Sequence, residues 1–325
     1  VLAIGVDVGG TSVRAGVVDK QGSLMDTARV ATPSDEGALE DAISGVIEDL
    51  RNRHDQVVAV GLAVAGFVTT DRRSVMFAPH LAWRDAPVAD RITKRVGLPV
   101  MLEHDANAAA VGEHRFGAAR GARVAALVAL GTGIGAGLLL DGKIFRGAHG
   151  VAPELGHLTV VPGGRSCPCG KYGCWERYCS GTALAATAVE LLAKHPGRST
   201  VLARETSGDP GSVTGRRVAG AARDGDPIAL RAMAELAKWL GEGLALVADT
   251  FDPEVIVIAG GVSVSAPLFL DEAREHYAGA ITGAGHRPLA RIRTAQLGDD
   301  AAIVGAAALA VEAVKAPAAH SGVTR

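Results

Sequence analysis

One short design occurs twice in this chain, and it limits the possible folds more than any other feature. Val1-Leu2-Ala3-Ile4-Gly5-Val6-Asp7 reads as a buried strand, Gly9-Gly10 as a tight turn, and Ser12 to Asp19 as a strand returning beside the first. Val124 to Leu130, Gly131-Thr132-Gly133 and Ile134 to Leu140 repeat that order, ending at Asp141-Gly142. A third strand is expected after Gln21-Gly22. From Gly37 to Arg53, Leu39, Ile43, Val46, Ile47 and Leu50 fall at helix spacing, and Val57 to Val64 is a continuous apolar strand ending at Gly66. Hairpins followed by alternating helix and strand predict an α/β fold with mixed sheets. Two similar units facing each other would place both glycine turns on one cleft. The later unit closes with Val255 to Ile258 running into Ala259-Gly260-Gly261, and an Ala-rich helix spans Asp300 to Lys315. The expected division is 1–110 with the C-terminal helix (about 300–316), then 111–299, with 317–325 as a loose tail.

A chain of 325 residues is long for a single core, which agrees with two units. Its 48% hydrophobic and 21% charged residues exclude a disordered, collagen-like or coiled-coil body. A formal net charge of -2 with no long Lys/Arg run argues against nucleic acid as a partner. No apolar run is long enough to cross a bilayer, so no membrane association is expected. Asp7 interrupts the opening apolar stretch and no basic leader precedes it, so the expected compartment is the cytoplasm, where thiols stay reduced.

Three segments carry chemistry. In Asp7-x-Gly9-Gly10-Thr11 the glycines let backbone amides approach an anion, the Thr hydroxyl adds a donor, and Asp7 can hold a metal-bound water. A Gly-Gly hairpin turn is also a common structural device, but Gly131-Thr132-Gly133-Ile134-Gly135 repeats the pattern at the matching place. Two phosphate-sized nests are therefore expected, and a branched side chain at Gly133 should block the approach of its amides to phosphate. No P-loop is present, and no dinucleotide-type glycine turn follows the first strand. In Leu102-Glu103-His104-Asp105-Ala106-Asn107, a carboxylate between a strand and an Ala-rich helix could accept the proton of an attacking hydroxyl. It could equally cap the helix. Lastly, His157, Cys167, Cys169 and Cys174 form a possible tetrahedral zinc set, with tight glycine turns between the cysteines. Cys179 leaves a four-cysteine site open, and simple clustering of buried cysteines is the alternative to any metal. Glu154 and Glu176 bracket this segment.

Taken together, these residues resemble the ROK family of sugar kinases and repressors, and within it the glucokinases. Asp7-Val-Gly-Gly-Thr11 resembles its first phosphate motif, Ala129-Leu-Gly-Thr-Gly-Ile-Gly-Ala-Gly137 its second, Ile258-Ala-Gly-Gly-Val262 its nucleotide-side turn, and Cys167-Pro-Cys-Gly-Lys-Tyr-Gly-Cys-Trp-Glu176 its zinc signature. The resemblance implies a two-domain hexokinase/actin-like (ribonuclease H-like) fold with an inter-domain cleft. It also implies ATP-dependent phosphorylation of a hexose, glucose first, with Mg²⁺, a structural Zn²⁺, a glycolytic setting and a homodimer or homotetramer. By the same resemblance Asp105 is the base; Gly66, His104, Asp105, Asn107, Glu154, His157 and Glu176 hold the sugar; and Asp7, Gly9, Gly10, Thr11, Gly131, Thr132, Gly133, Gly135, Gly260 and Gly261 hold the nucleotide. His157, Cys167, Cys169 and Cys174 bind zinc. His104 and His80 stand where the family often has Asn, and Ala65 where many members have Pro. The Cys179 position is usually small and not a ligand, which favours His157. The rival class is a sugar-responsive repressor, which would carry a helix-turn-helix before the first strand. Other hexoses or amino sugars, and polyphosphate as donor, are alternatives within kinases.

Overall fold

The computed structural model describes residues 1–195, 200–206 and 209–315; the tail expected at 317–325 lies outside the described residues. Strands β1 (Leu2–Val8), β2 (Ser12–Val18) and β3 (Leu24–Ala31) form an antiparallel meander. Helix α1 (Glu36–Arg53) starts where the Asp35 carboxylate accepts the Ala38 N–H, and it buries Leu39, Ile43, Ile47 and Leu50. Strand β4 (Val57–Val64) then runs parallel to β1. A small antiparallel sheet of β5 (Phe67–Val68), β6 (Val75–Phe77) and β7 (Arg84–Ala86) precedes α2 (Val88–Val96). Strand β8 (Val100–His104), parallel to β4, leads directly into α3 (Asp105–Phe116). The first sheet therefore has the order β3-β2-β1-β4-β8. β1 and β4 are covered on both faces, which is why their sequences are continuously apolar; edge strand β3 alternates.

The second half repeats this path. Strands β9 (Ala125–Leu130), β10 (Ile134–Leu140) and β11 (Lys143–Ile144) form the meander. Helices α4 (Gly181–Lys194), α5 (Val201–Glu205), α6 (Gly215–Arg223) and α7 (Pro227–Phe251) follow. Strand β12 (Val255–Ala259), α8 (Leu270–Ala280), β13 (Arg291–Thr294) and α9 (Ala301–Lys315) complete the described chain. The order β11-β10-β9-β12-β13 has the same parallel and antiparallel neighbours as the first sheet. The repeat read from the sequence is thus a repeat of topology. One end differs slightly: the turn Gly298–Asp300 is a separate 3₁₀ segment, and α9 begins at Ala301.

Each sheet has its own apolar core: one with α1 and α2, the other with α4, α6, α7 and α8. Helices α3 and α9 cross with their backbones in contact, since a Cβ on Gly305 would lie 1.7 Å from the Ala108 carbonyl oxygen. On its other side α9 lies on β1 and β4, with Gly5 and Gly61 meeting the Ile303 and Ala306 carbonyls. Helix α3 also packs on β10, where Gly137 faces Ala110. It thus touches both sheets, with Ala108 against Ala63 of β4 as well as Gly137 against Ala110, and it runs unbroken through position 110, where the sequence reading divides the chain. Among the described residues no helix is long and apolar enough to cross a membrane.

Candidate active site

Parallel strands present their C-terminal ends at one edge of a sheet, and Asp7, Glu103 and the following Asp105 gather there. Asp7 pairs across to Ala63 and Ala63 to Glu103, so Asp7 and the Glu103-His104-Asp105 segment leave the same edge one strand apart. Arg14, opposite Asp7 on β2, donates from Nη2 to Asp7 Oδ2 at 2.7 Å and to the Asp299 carbonyl at 2.6 Å. Burial pushes the Asp7 carboxyl above its ordinary range, against the pull of Arg14. The adjoining turn is closed by the Gly9 N–H on the Ser12 carbonyl at 3.2 Å and by Thr32 Oγ1 on the Gly9 carbonyl at 2.6 Å. Gly10 and Thr11 stay exposed, with Gly10 facing His80.

Asp105 does not sit at the helix-capping position, which His104 occupies without a side-chain cap. It is the first helical residue, and one carboxylate oxygen, Oδ1, accepts the Ala106 N–H at 2.7 Å and lies 3.3 Å from His104 Nε2. Its side chain is 37% exposed, open to a ligand. Beside it a narrow recess is lined by Phe67, His104, Asn107, Glu154 and residues 150–153. Asn107 is buried there: its amide donates to Glu103 Oε1 at 3.2 Å, and its Oδ1 has no partner. A buried acceptor of that kind calls for a donor from a ligand or water. Burial raises the Glu154 carboxyl, opposed by His104 and His157 and aided by Asp105 and Glu176. Gly66 is held against the backbone of Phe77 and Ala78, so tight packing alone accounts for a glycine at that position.

The metal set read from the sequence is gathered. The donor atoms of His157, Cys167, Cys169 and Cys174 all lie within 4.8 Å of one another, and Cys179 is not part of the group. Cys169 Sγ to Cys174 Sγ and Cys167 Sγ to His157 Nδ1 both measure 3.7 Å. A zinc ion about 2.3 Å from each sulfur sets tetrahedral edges of roughly 3.7 Å, so the residues fit zinc. Cys179 is buried in the apolar core of the second sheet, apart from these donors. With Nδ1 on the sulfur side, His157 turns Nε2 toward Glu154 Oε2 at 3.9 Å.

Glu176 links this cluster to the second glycine turn. Its Oε1 is 3.1 Å from Cys167 Sγ and 3.8 Å from His157 Nδ1, while its Oε2 lies against Gly133. The Gly131 amide donates to the Gly133 carbonyl at 2.9 Å, and the Gly131 carbonyl accepts from Gly181 at the start of α4 at 2.8 Å; Thr132 is exposed between them. Gly135 packs toward Ala106. Gly260, at φ 80°, backs onto Leu130 at the end of β9, and Gly261 opens into free space. The Gly9–Thr11 turn belongs to the other sheet, so the two turns are separate constructions. Arg14, Glu103 and Arg146 were not singled out as site residues by the sequence. Glu103 lies inside the Leu102–Asn107 segment, whereas the 43-residue separation of Glu103 and Arg146 leaves no local signal.

Two sheets of identical path, with glycine turns at the ends of their first strands and crossed helices beside them, define the hexokinase/actin-like class of α/β protein. The ROK family model matches residues 3–313, and the chain belongs to the ROK family. It is 45% identical over 311 residues to the glucokinase of Streptomyces coelicolor, covering 96% of this chain and 98% of that protein. Among solved structures it is similar to a ROK family glucokinase from Streptomyces griseus in complex with glucose and AMPPNP, at 44% identity, TM-score 0.86, and 96% and 100% coverage of the two chains. It is also similar to the ROK hexokinase of Thermus thermophilus, at 32% identity, TM-score 0.79, and 97% and 99% coverage.

Proposed function

We propose that the chain is a glucokinase that transfers the γ-phosphoryl group of ATP to a glucose hydroxyl, with Asp105 as general base. The observation that carries this reading is the buried, unpartnered Asn107 Oδ1 in a recess shared with His104 and Glu154, directly beside the open carboxylate of Asp105. A polyhydroxylated ligand supplies donors for Asn107 and Glu154, and an acceptor or donor for the His104 imidazole. The full-length similarity to glucokinases, one of them bound to glucose and AMPPNP, supports the same substrates.

In the proposed step the hexose hydroxyl loses its proton to Asp105 as its oxygen attacks the γ-phosphorus, and ADP leaves. Asp105 Oδ1 is already engaged by Ala106 N–H, so Oδ2 is the oxygen free to take the proton. The turns at 9–11 and 131–133, with Gly260-Gly261, would bind the nucleotide phosphates through backbone amides. Magnesium, when bound with ATP, neutralises charge on the phosphate oxygens. Zinc would be held by His157, Cys167, Cys169 and Cys174; with four protein ligands it has a structural role, fixing Glu154 and Glu176 at the sugar. The units carrying the two sheets, 1–110 with α9 and 111–299, would close on the substrates and exclude water. A cytoplasmic, glycolytic homodimer or homotetramer completes the reading.

A coupled assay across glucose, fructose, mannose and N-acetylmannosamine, with ATP or polyphosphate as donor, tests it. Glucose with ATP should give the highest kcat/KM; a higher value for another pair replaces the substrate assignment, and no turnover with any pair overturns the kinase reading.

A further inference from the structure

Glu103 is buried in the first sheet's functional edge, with a side chain only 3% exposed, yet it makes no contact that the phosphoryl transfer itself requires. Its two oxygens serve different segments. Oε1 accepts the His104 N–H and the Asn107 amide, each at 3.2 Å. The Asn107 amide is thereby turned so that its free Oδ1 points away from Glu103. Oε2 accepts from Arg146 Nε at 2.9 Å and Nη2 at 2.5 Å. Arg146 in turn accepts the Ala152 N–H on its carbonyl at 3.1 Å, closing the 146–152 loop on itself. Gly150 presses that loop onto the Val68–Thr70 backbone. Residues 150–154 form one wall of the recess, and His104 and Asn107 form the facing one.

We propose that Arg146 is a positioning residue for sugar binding: through Glu103 it clamps the 146–154 wall onto the end of β8 and sets the distance across the recess. The inference rests on the hexose-kinase reading above. A buried ion pair contributes little net stability compared with apolar side chains of similar volume, whereas its fixed geometry orients the groups around it. The nucleotide turns lie on other segments, so a clamp acts on the sugar and spares ATP.

Arg146→Ala, Arg146→Lys and Glu103→Gln in the full chain test this, with KM measured for glucose and ATP separately and amide hydrogen exchange followed over 147–154. Arg146→Ala should raise the glucose KM about tenfold or more and the ATP KM by less than about twofold, and Glu103→Gln should act in the same direction. Exchange over 147–154 should accelerate while β1 and β4 stay protected, and Arg146→Lys should recover part of the loss. The clamp is overturned if glucose KM stays within about twofold of wild type in both Arg146→Ala and Glu103→Gln, or if both substrates' KM values rise together with a fall in Tm. If the wild-type chain phosphorylates no hexose, the kinase reading fails by itself; exchange then decides the clamp, and unchanged rates over 147–154 overturn it.

Discussion

A Cβ placed on Gly133 would lie 2.4 Å from Glu176 Oε2, so the second glycine turn and the cysteine cluster meet on one carboxylate. Glu176 reaches Cys167 Sγ with its other oxygen at 3.1 Å. The proposed nucleotide turn, sugar carboxylate and metal site are therefore in direct mechanical contact.

That contact changes the outcome expected at Gly133. From the sequence, a side chain there obstructs phosphate only; in the structure it must also displace Glu176. Gly133→Ala should raise the apparent KM for both ATP and glucose, each by about tenfold, or ~1.4 kcal/mol. Steady-state kinetics with each substrate varied in turn checks this, and a change confined to ATP would restore the simpler view.

Asp105→Asn keeps the Ala106 N–H contact through the amide oxygen but cannot take up a proton. Folding and glucose affinity should persist, while kcat falls by roughly 10²–10⁴-fold. Calorimetric glucose titration beside turnover measurements separates the two, and a variant retaining more than about a tenth of kcat rules out a general base.

Cys169→Ala should lose bound zinc and, with it, glucose affinity and thermal stability, because the metal fixes the segment between His157 and Glu176. Cys179→Ser should keep both zinc and activity, since Cys179 stands outside the donor group. Metal content of the purified variants is the measurement; zinc lost with Cys179→Ser and retained with His157→Ala would establish a four-cysteine site.

Asp226 offers a stability test remote from the cluster. Burial alone would raise its carboxyl, but backbone N–H groups of Leu202, Ala229 and Ile228 outweigh that and hold it below its ordinary range. The Oδ1 contacts cap α7 at 2.9 and 3.0 Å, and Oδ2 accepts Leu202 N–H at 2.8 Å. Asp226→Ala should cost about 1–3 kcal/mol at neutral pH. A lowered folded-state value means this stabilisation is present above the unfolded-state value near 4 and is lost as pH falls through the folded one. Denaturant melts at a series of acidic pH values should show the gap between wild type and variant narrowing below about pH 4.

The sequence by itself determined what depends on local pattern. Continuous apolar runs such as Val57–Val64 could only be strands covered on both faces, and the two hairpins with glycine turns announced two like units. A metal set was legible because it requires particular residue types at short spacing, although Cys179 left its fourth ligand open and only the resemblance favoured His157. What stayed hidden was whatever depends on residues distant in the chain. Sequence reading left 181–251 unassigned, and the Ala-rich helices there became recognisable only through the shared core of the second sheet. Local pattern could not tell whether Asp105 caps the helix; the β8–α3 junction puts His104 at the cap position instead. Glu103 with Arg146, Arg14 with Asp299, and Gly133 with Glu176 are all pairings across loops and between elements. No periodicity encodes them, because such contacts come from the crossing of whole elements, as where α3 and α9 meet backbone to backbone.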